Sequence, residues 1–135
     1  QYTAPEYFLG EPGTSRSDMF SLGVMTYQML TGKLPYGVQV AKSRTKAEQR
    51  KLKYSTVLSD DREIPAWVDG VLKKAVHPIP QKRYEELSEF IFDLRQPNKE
   101  FLNKIRPPLM ARNPVLFWKS ISLVLSIIIG ILLSK

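Results

Sequence analysis

The chain holds one imidazole, His77, and no thiol, which narrows its chemistry at once. Structural zinc and disulfide frameworks draw on cysteine or clustered histidine, so both are excluded here. A Ser-His-Asp or Cys-His hydrolase could be built only on His77, and no nucleophile marks itself beside it. Neither a G-x-G-x-x-G loop nor a Walker A loop is present to cradle phosphate. What remains is charge. Twenty Lys and Arg stand against thirteen Asp and Glu, a formal net charge of +7. Such an excess suits nucleic acid, an anionic membrane or an acidic partner. Six of the cations, Lys42, Arg44, Lys46, Arg50, Lys51 and Lys53, crowd around Glu48 alone. That run is either a solvated helix face or a docking face for an acidic partner or lipid.

The elements that must carry these side chains read as helices, and the expected fold class is mainly α. Residues 1–16 are rich in turn formers, with a short helix expected over Pro5 to Leu9 because proline suits a first helical turn. In SDMFSLGVMTYQMLTG, Ser17 suits the N-cap, Asp18 the positive end of the helix dipole, and Gly32 the position past the C-terminus. Met19, Phe20, Leu22, Val24, Met25, Tyr27, Met29 and Leu30 cover nearly every side of this helix. Being apolar all round and too short to span a membrane, it belongs in the middle of a core. Val38 to Tyr54 has a helical, basic pattern. VLSDDREIPAW reads as a polar loop. AWVDGVLKKAVH repeats Trp67, Val68, Val71, Leu72, Ala75 and Val76 at helical spacing, PIPQKR breaks it, and YEELSEFIFDL sets Tyr84, Leu87, Phe90, Ile91 and Leu94 on one face. No segment reads convincingly as a strand. His77 reads as a helix-end residue, not as a catalytic base. Residues 95–114 are basic and proline-rich and read as a linker.

VLFWKSISLVLSIIIGILLSK closes the sequence. Val115 to Ser134 is long enough, at about 1.5 Å per residue, to cross a hydrocarbon core of about 30 Å. Its one charge, Lys119, lies a turn in beside Trp118, where the ammonium can snorkel and the indole can rest at headgroup level. Arg106, Arg112 and Lys119 flank the entry and only Lys135 the exit, so the positive-inside rule keeps the preceding domain in the cytoplasm. A single-pass C-terminal membrane anchor is expected, with membrane lipid as partner. The charge near it is accounted for by anionic lipid, and no base-reading motif supports nucleic acid as a partner.

YTAPE, then SDMFSLGVMTYQMLTGKLPY, then HPIPQKRY follow one another in an order and spacing that resemble a eukaryotic-type (Hanks-type) Ser/Thr protein kinase, from its Ala-Pro-Glu motif onward. The resemblance covers roughly residues 1–94, a helical C-terminal lobe that is incomplete. It implies roles for single positions. Ala4, Pro5 and Glu6 match the Ala-Pro-Glu motif. Asp18, Ser21 and Gly23 match the D-x-x-S-x-G helix, in which the aspartate braces the catalytic loop. Arg83 matches the arginine that pairs with Glu6, and His77 stands where the family usually has aspartate. Tyr2 and Thr3 would border the pocket for the residue after the phosphorylated Ser or Thr.

The family's phosphoryl transfer needs a Gly-rich loop, a strand lysine, H-R-D and D-F-G. None occurs in these residues. Their joint absence leads us to expect a truncated chain with no ATP or magnesium site and no catalytic residue of its own. Mg-ATP and a protein substrate would belong to the intact parent, and the N-terminal half of the kinase would be a missing partner. Asp18 is then expected as a buried carboxylate short of its donors, and the central helix as a source of exposed apolar surface. The contrasting expectation is a non-catalytic, membrane-tethered, kinase-like docking module that binds through the basic run at 42–53.

Overall fold

Helix α1, Ser15–Thr31, is placed by the residues at its two ends. Thr14, in extended conformation, is the N-cap, and its backbone N–H donates to Ser17 Oγ at 3.0 Å. The cap expected at Ser17 is therefore corrected to Thr14. The Ser17 hydroxyl is already committed, donating to Glu6 Oε1 at 2.7 Å, and it serves one turn inside the helix. At the other end Gly32 turns left-handed at φ 70°, and its N–H returns to Gln28 O at 2.7 Å, a conformation that a side chain would strain.

The computed structural model describes residues 1–59, 63–97 and 114–134. Every regular element among them is helical: a 3₁₀ turn Pro5–Leu9, α1, α2 (Gln39–Lys42), α3 (Lys46–Arg50), α4 (Ala66–Ala75), a 3₁₀ turn Pro80–Lys82, α5 (Leu87–Arg95) and α6 (Pro114–Leu133). The chain divides into two units, Gln1–Lys104 and Ile105–Lys135.

In the first unit α1 packs on α4, and α4 on α5. Met19 and Tyr27 of α1 join Val68, Val71, Leu72 and Ala75 of α4, with Tyr84 and Phe90 beyond them. Phe20 and Val24, one step around α1, enter a second cluster with Ala4, Tyr36, Val40 and Val76. Burying each such aliphatic or aromatic side chain contributes about 1.5–3 kcal/mol. Helices α1 and α4 approach closely because position 23 is glycine. A Cβ there would stand 2.8 Å from Val76 Cγ1 and 2.9 Å from Ala75 Cβ. The loop ahead of α4 is tied down by Asp69, whose Oδ1 accepts from Tyr54 Oη at 3.0 Å and from the Val57 N–H at 2.9 Å.

Two expectations change and one is met. The basic run from Val38 to Tyr54 is two short helices, not one. The Ser43 hydroxyl donates back to Gln39 O at 2.9 Å, and Thr45 starts a second helix. Glu48 Oε2 accepts from the N–H groups of Arg44 and Thr45 at 2.8 and 3.1 Å, a capping box that competes with continued helix. Helix α1 carries the exposed apolar surface expected of it, with Met25 and Met29 43 % and 86 % exposed. Of the stripe expected on α5, Phe90 is buried, while Leu87 and Ile91 lie exposed.

The second unit is described by α6 alone. Its 20 residues make it the one described helix long and apolar enough to cross a membrane. Ser120 and Ser126 donate back to Leu116 O and Ser122 O at 2.9 and 2.8 Å, so their hydroxyls are satisfied within the helix. Most of the expected linker, with Arg106 and Arg112, lies outside the described residues, as does Lys135.

Gly23→Ala tests the close packing of α1 on α4. Helix propensity alone would favour the change by about 1 kcal/mol, whereas overpacking against Ala75 and Val76 costs about 1–3 kcal/mol. A lower midpoint of thermal unfolding is expected; an unchanged or raised midpoint would show that the helices have room to separate.

Candidate functional site

The first turn, the start of α1 and the segment after α4 meet at one buried guanidinium. Arg83 and Glu6 are 4 % and 3 % exposed. Arg83 Nη1 donates to Glu6 Oε1 at 2.7 Å and Nη2 to Glu6 Oε2 at 2.8 Å, the parallel fork that planar guanidinium and carboxylate groups favour. The other three donors are also used. Nε reaches His77 O at 2.7 Å, Nη1 also reaches Arg16 O at 2.8 Å, and Nη2 reaches Pro78 O at 3.1 Å. An arginine has five N–H donors, so none is left without a partner. The Phe20 ring lies under the guanidinium, 4.9 Å from Cζ to its centroid.

Local sequence explains this convergence. Pro5 starts the turn that carries Glu6 inward, and Gln49 Nε2 donates to Pro5 O at 2.7 Å from α3. Pro78 and Pro80 break the chain after α4, which exposes the carbonyls of His77 and Pro78 to Arg83. Burial by itself would raise the Glu6 carboxyl. The hydrogen bonds from Arg83 and Ser17 outweigh it, and Glu6 stays below its ordinary value of 4.5. His77 is shifted down by burial and by the positive charges of Lys82, Arg83 and Lys73. Its Nδ1 accepts the Ile79 N–H at 3.0 Å, so the ring shapes the turn that presents Arg83.

The other sequence-selected residues fall in different places. Ala4 and Pro5 are buried beneath the first turn. Tyr2 is 40 % exposed; its hydroxyl donates to the Gln28 side chain and its carbonyl accepts from Ser21 Oγ at 2.8 Å. Thr3 is on the wall of a cavity of about 90 Å³ with Phe8, Leu34 and Val38, and Tyr2 is not on that wall. Asp18 corrects an expectation. It is exposed, on the same side of α1 as Met25 and Met29 at helical spacing; its N–H donates to Thr14 O at 3.2 Å, and its carboxylate makes no hydrogen bond or ion pair among the described residues. Its exposure means that no burial penalty arises. Gly23 lies in the α1–α4 contact, away from the clamp. Trp118 and Lys119 are in α6, and Trp118 packs edge-on against Phe117 at 5.8 Å.

Sequence reasoning missed the reach of the clamp. The carbonyls of Arg16, His77 and Pro78 and the hydroxyl of Ser17 take part in it. Backbone acceptors carry no residue-type signal, so only the fold reveals them.

This buried junction of an Ala-Pro-Glu turn, a central helix and a returning arginine defines the C-terminal part of a protein kinase catalytic domain. The protein kinase domain family matches residues 1–99, and the chain belongs to it. Among its relatives, the serine/threonine-protein kinase PknD of Chlamydia caviae is 32 % identical over 95 residues, which is 70 % of this chain and 10 % of that protein. PknD of Chlamydia pneumoniae is 34 % identical over 93 residues, 69 % of this chain and 10 % of its own length. The serine/threonine-protein kinase PksC of Streptomyces coelicolor is 31 % identical over 86 residues, 62 % and 15 % of the two chains. The chain thus spans about a tenth of the length of the chlamydial relatives it matches.

The family works with ATP and magnesium, and the residues present do not fit that pair. Among the described residues no three carboxylates or imidazoles gather where a metal ion could be held, and no Gly-rich loop occurs in the sequence. No step of phosphoryl transfer is assigned to these side chains.

Removing one partner of the clamp strands the other charge. Arg83→Ala and Glu6→Ala are each expected to cost about 3–5 kcal/mol, and the double change little more than either. Denaturant unfolding of the full chain in micelles reads this cycle; small, additive losses would refute the clamp. The lowered Glu6 value also fixes a sign. Its contribution is complete above about pH 4.5, the ordinary value, and is lost as pH falls through the folded one. Glu6→Gln is expected to flatten this acid limb, and an unchanged limb would assign it to other carboxylates.

Proposed function

We propose that residues 1–94 are the helical C-terminal lobe of a membrane-anchored Ser/Thr kinase. The intact enzyme transfers phosphate from Mg-ATP to hydroxyls of protein substrates. The observation that carries this reading is the saturated Arg83–Glu6 junction, which fixes the turn immediately following Tyr2 and Thr3. In the intact enzyme these two residues border the pocket for the substrate residue next to the acceptor, with the Thr3 cavity as part of it. The upstream half of the kinase lies over the open side of α1, covers Met25 and Met29, and supplies hydrogen-bond donors to Asp18. This chain by itself transfers no phosphate.

Residues 95–114 serve as the linker and 115–134 as a single-pass anchor in a bacterial inner membrane, with the kinase lobe in the cytoplasm. The length and apolarity of α6 support the span, and Trp118 and Lys119 suit its interface.

Incubated with Mg-ATP and a generic protein substrate, the full chain in lipid nanodiscs is expected to give no labelled product, and ATP-dependent labelling would overturn the reading. In an intact parent that carries H-R-D and D-F-G, labelling on Ser and Thr is expected and is lost with Arg83→Ala; phosphotyrosine as the main product would defeat the substrate class. Alkaline carbonate should leave the chain in the membrane pellet, and release to the supernatant would defeat the anchor.

A further inference from the structure

Away from the clamp, the first unit carries a groove of about 450 Å³ whose wall holds Lys42, Lys51 and Lys53, with Gln39, Ser43 and Glu48 between them. The fold forces these lysines outward. Leu52 and Tyr54 pack against the second core cluster, and Lys51 and Lys53, which alternate with them after α3, are exposed. Lys42 ends α2, whose Val40 is buried in that same cluster. None of the three forms an ion pair among the described residues, whereas Lys46 pairs with Glu11 at 2.8 Å. Glu48 is the one acid on the wall; its carboxylate accepts from the Arg44 and Thr45 N–H groups as part of the α3 cap and also feels the charge of Lys51, so it offsets part of the groove's positive charge.

We propose that this groove docks the anionic headgroups of a lipid bilayer, a surface role that rests on the anchoring reading above. The donor chemistry favours lipid over an acidic protein. The groove presents ammonium groups, which act as point charges toward scattered phosphates, and not the guanidinium forks that grip single carboxylates. Arg44 is turned away over the Phe8 ring, 5.3 Å from Cζ to its centroid, and Arg50 lines a different cavity. The wall's two apolar residues are poor anchors for a protein partner, because Tyr36 is buried and Leu52 is half-buried against the second core cluster. A second copy of this chain, at +7, would meet the groove with like charge. Each lysine near such a surface favours it about fivefold, and three together on the order of a hundredfold.

Lysine acylation with mass-spectrometric readout tests this on the full chain, in nanodiscs of neutral phosphatidylcholine and of phosphatidylcholine mixed with phosphatidylglycerol. Acylation of Lys42, Lys51 and Lys53 is expected to slow about tenfold in the anionic discs, with Lys73 unchanged and high salt reversing the effect. Equal acylation in both discs overturns the proposal. So does protection that appears only with added poly-glutamate, or protection by inorganic phosphate in neutral discs. Vesicle flotation separates the two readings. A chain that stays with both vesicle types under high salt, yet shows unprotected lysines, is anchored but does not dock. A chain that leaves neutral vesicles, binds anionic ones and loses that binding in K42Q/K51Q/K53Q docks without an anchor, and the groove stands.

Discussion

One guanidinium organises the first unit. Arg83 places all five of its N–H groups on oxygens from Glu6, Arg16, His77 and Pro78, and so joins the first turn, the start of α1 and the exit from α4. A buried charge is tolerated only with its partner and its full set of hydrogen bonds. Much else follows from meeting that condition. Proline must break the chain after α4, Ser17 must turn its hydroxyl to Glu6 and leave the capping to Thr14, and His77 lends its carbonyl to Arg83 while its ring holds the turn through the Ile79 N–H.

The packing around α1 obeys a second constraint. Glycine at 23 brings the α4 C-terminus into contact with the α1 backbone, and the apolar residues on either side of it divide between two core clusters. The remaining side of α1, with Asp18, Met25 and Met29, faces solvent. That side is the physical ground for reading this lobe as a surface on which the upstream half of a kinase rests. The family membership of residues 1–99 stands independently of it.

Charge is distributed unevenly, and its disposition follows from local chemistry. Glu48 is the one acid within the basic run; it is oriented by the N–H groups ahead of α3 and interacts with Lys51 of the groove. Lys46 is paired with Glu11, and Arg44 is drawn over Phe8. Lys42, Lys51 and Lys53 form no ion pair among the described residues and lie at the surface.

The sequence by itself determined the helical class, the short turn at Pro5, the central helix ending at Gly32, the long apolar C-terminal helix and the family, because those depend on local spacing and on short motifs. It also named Glu6 and Arg83 as partners through the resemblance. Only the tertiary structure decided which faces are covered. It turned Asp18 to solvent, split the basic run at Ser43 and Thr45, left Leu87 and Ile91 open, and recruited backbone carbonyls to Arg83. Periodicity states that a side chain is apolar or charged, whereas burial depends on which distant segment arrives beside it.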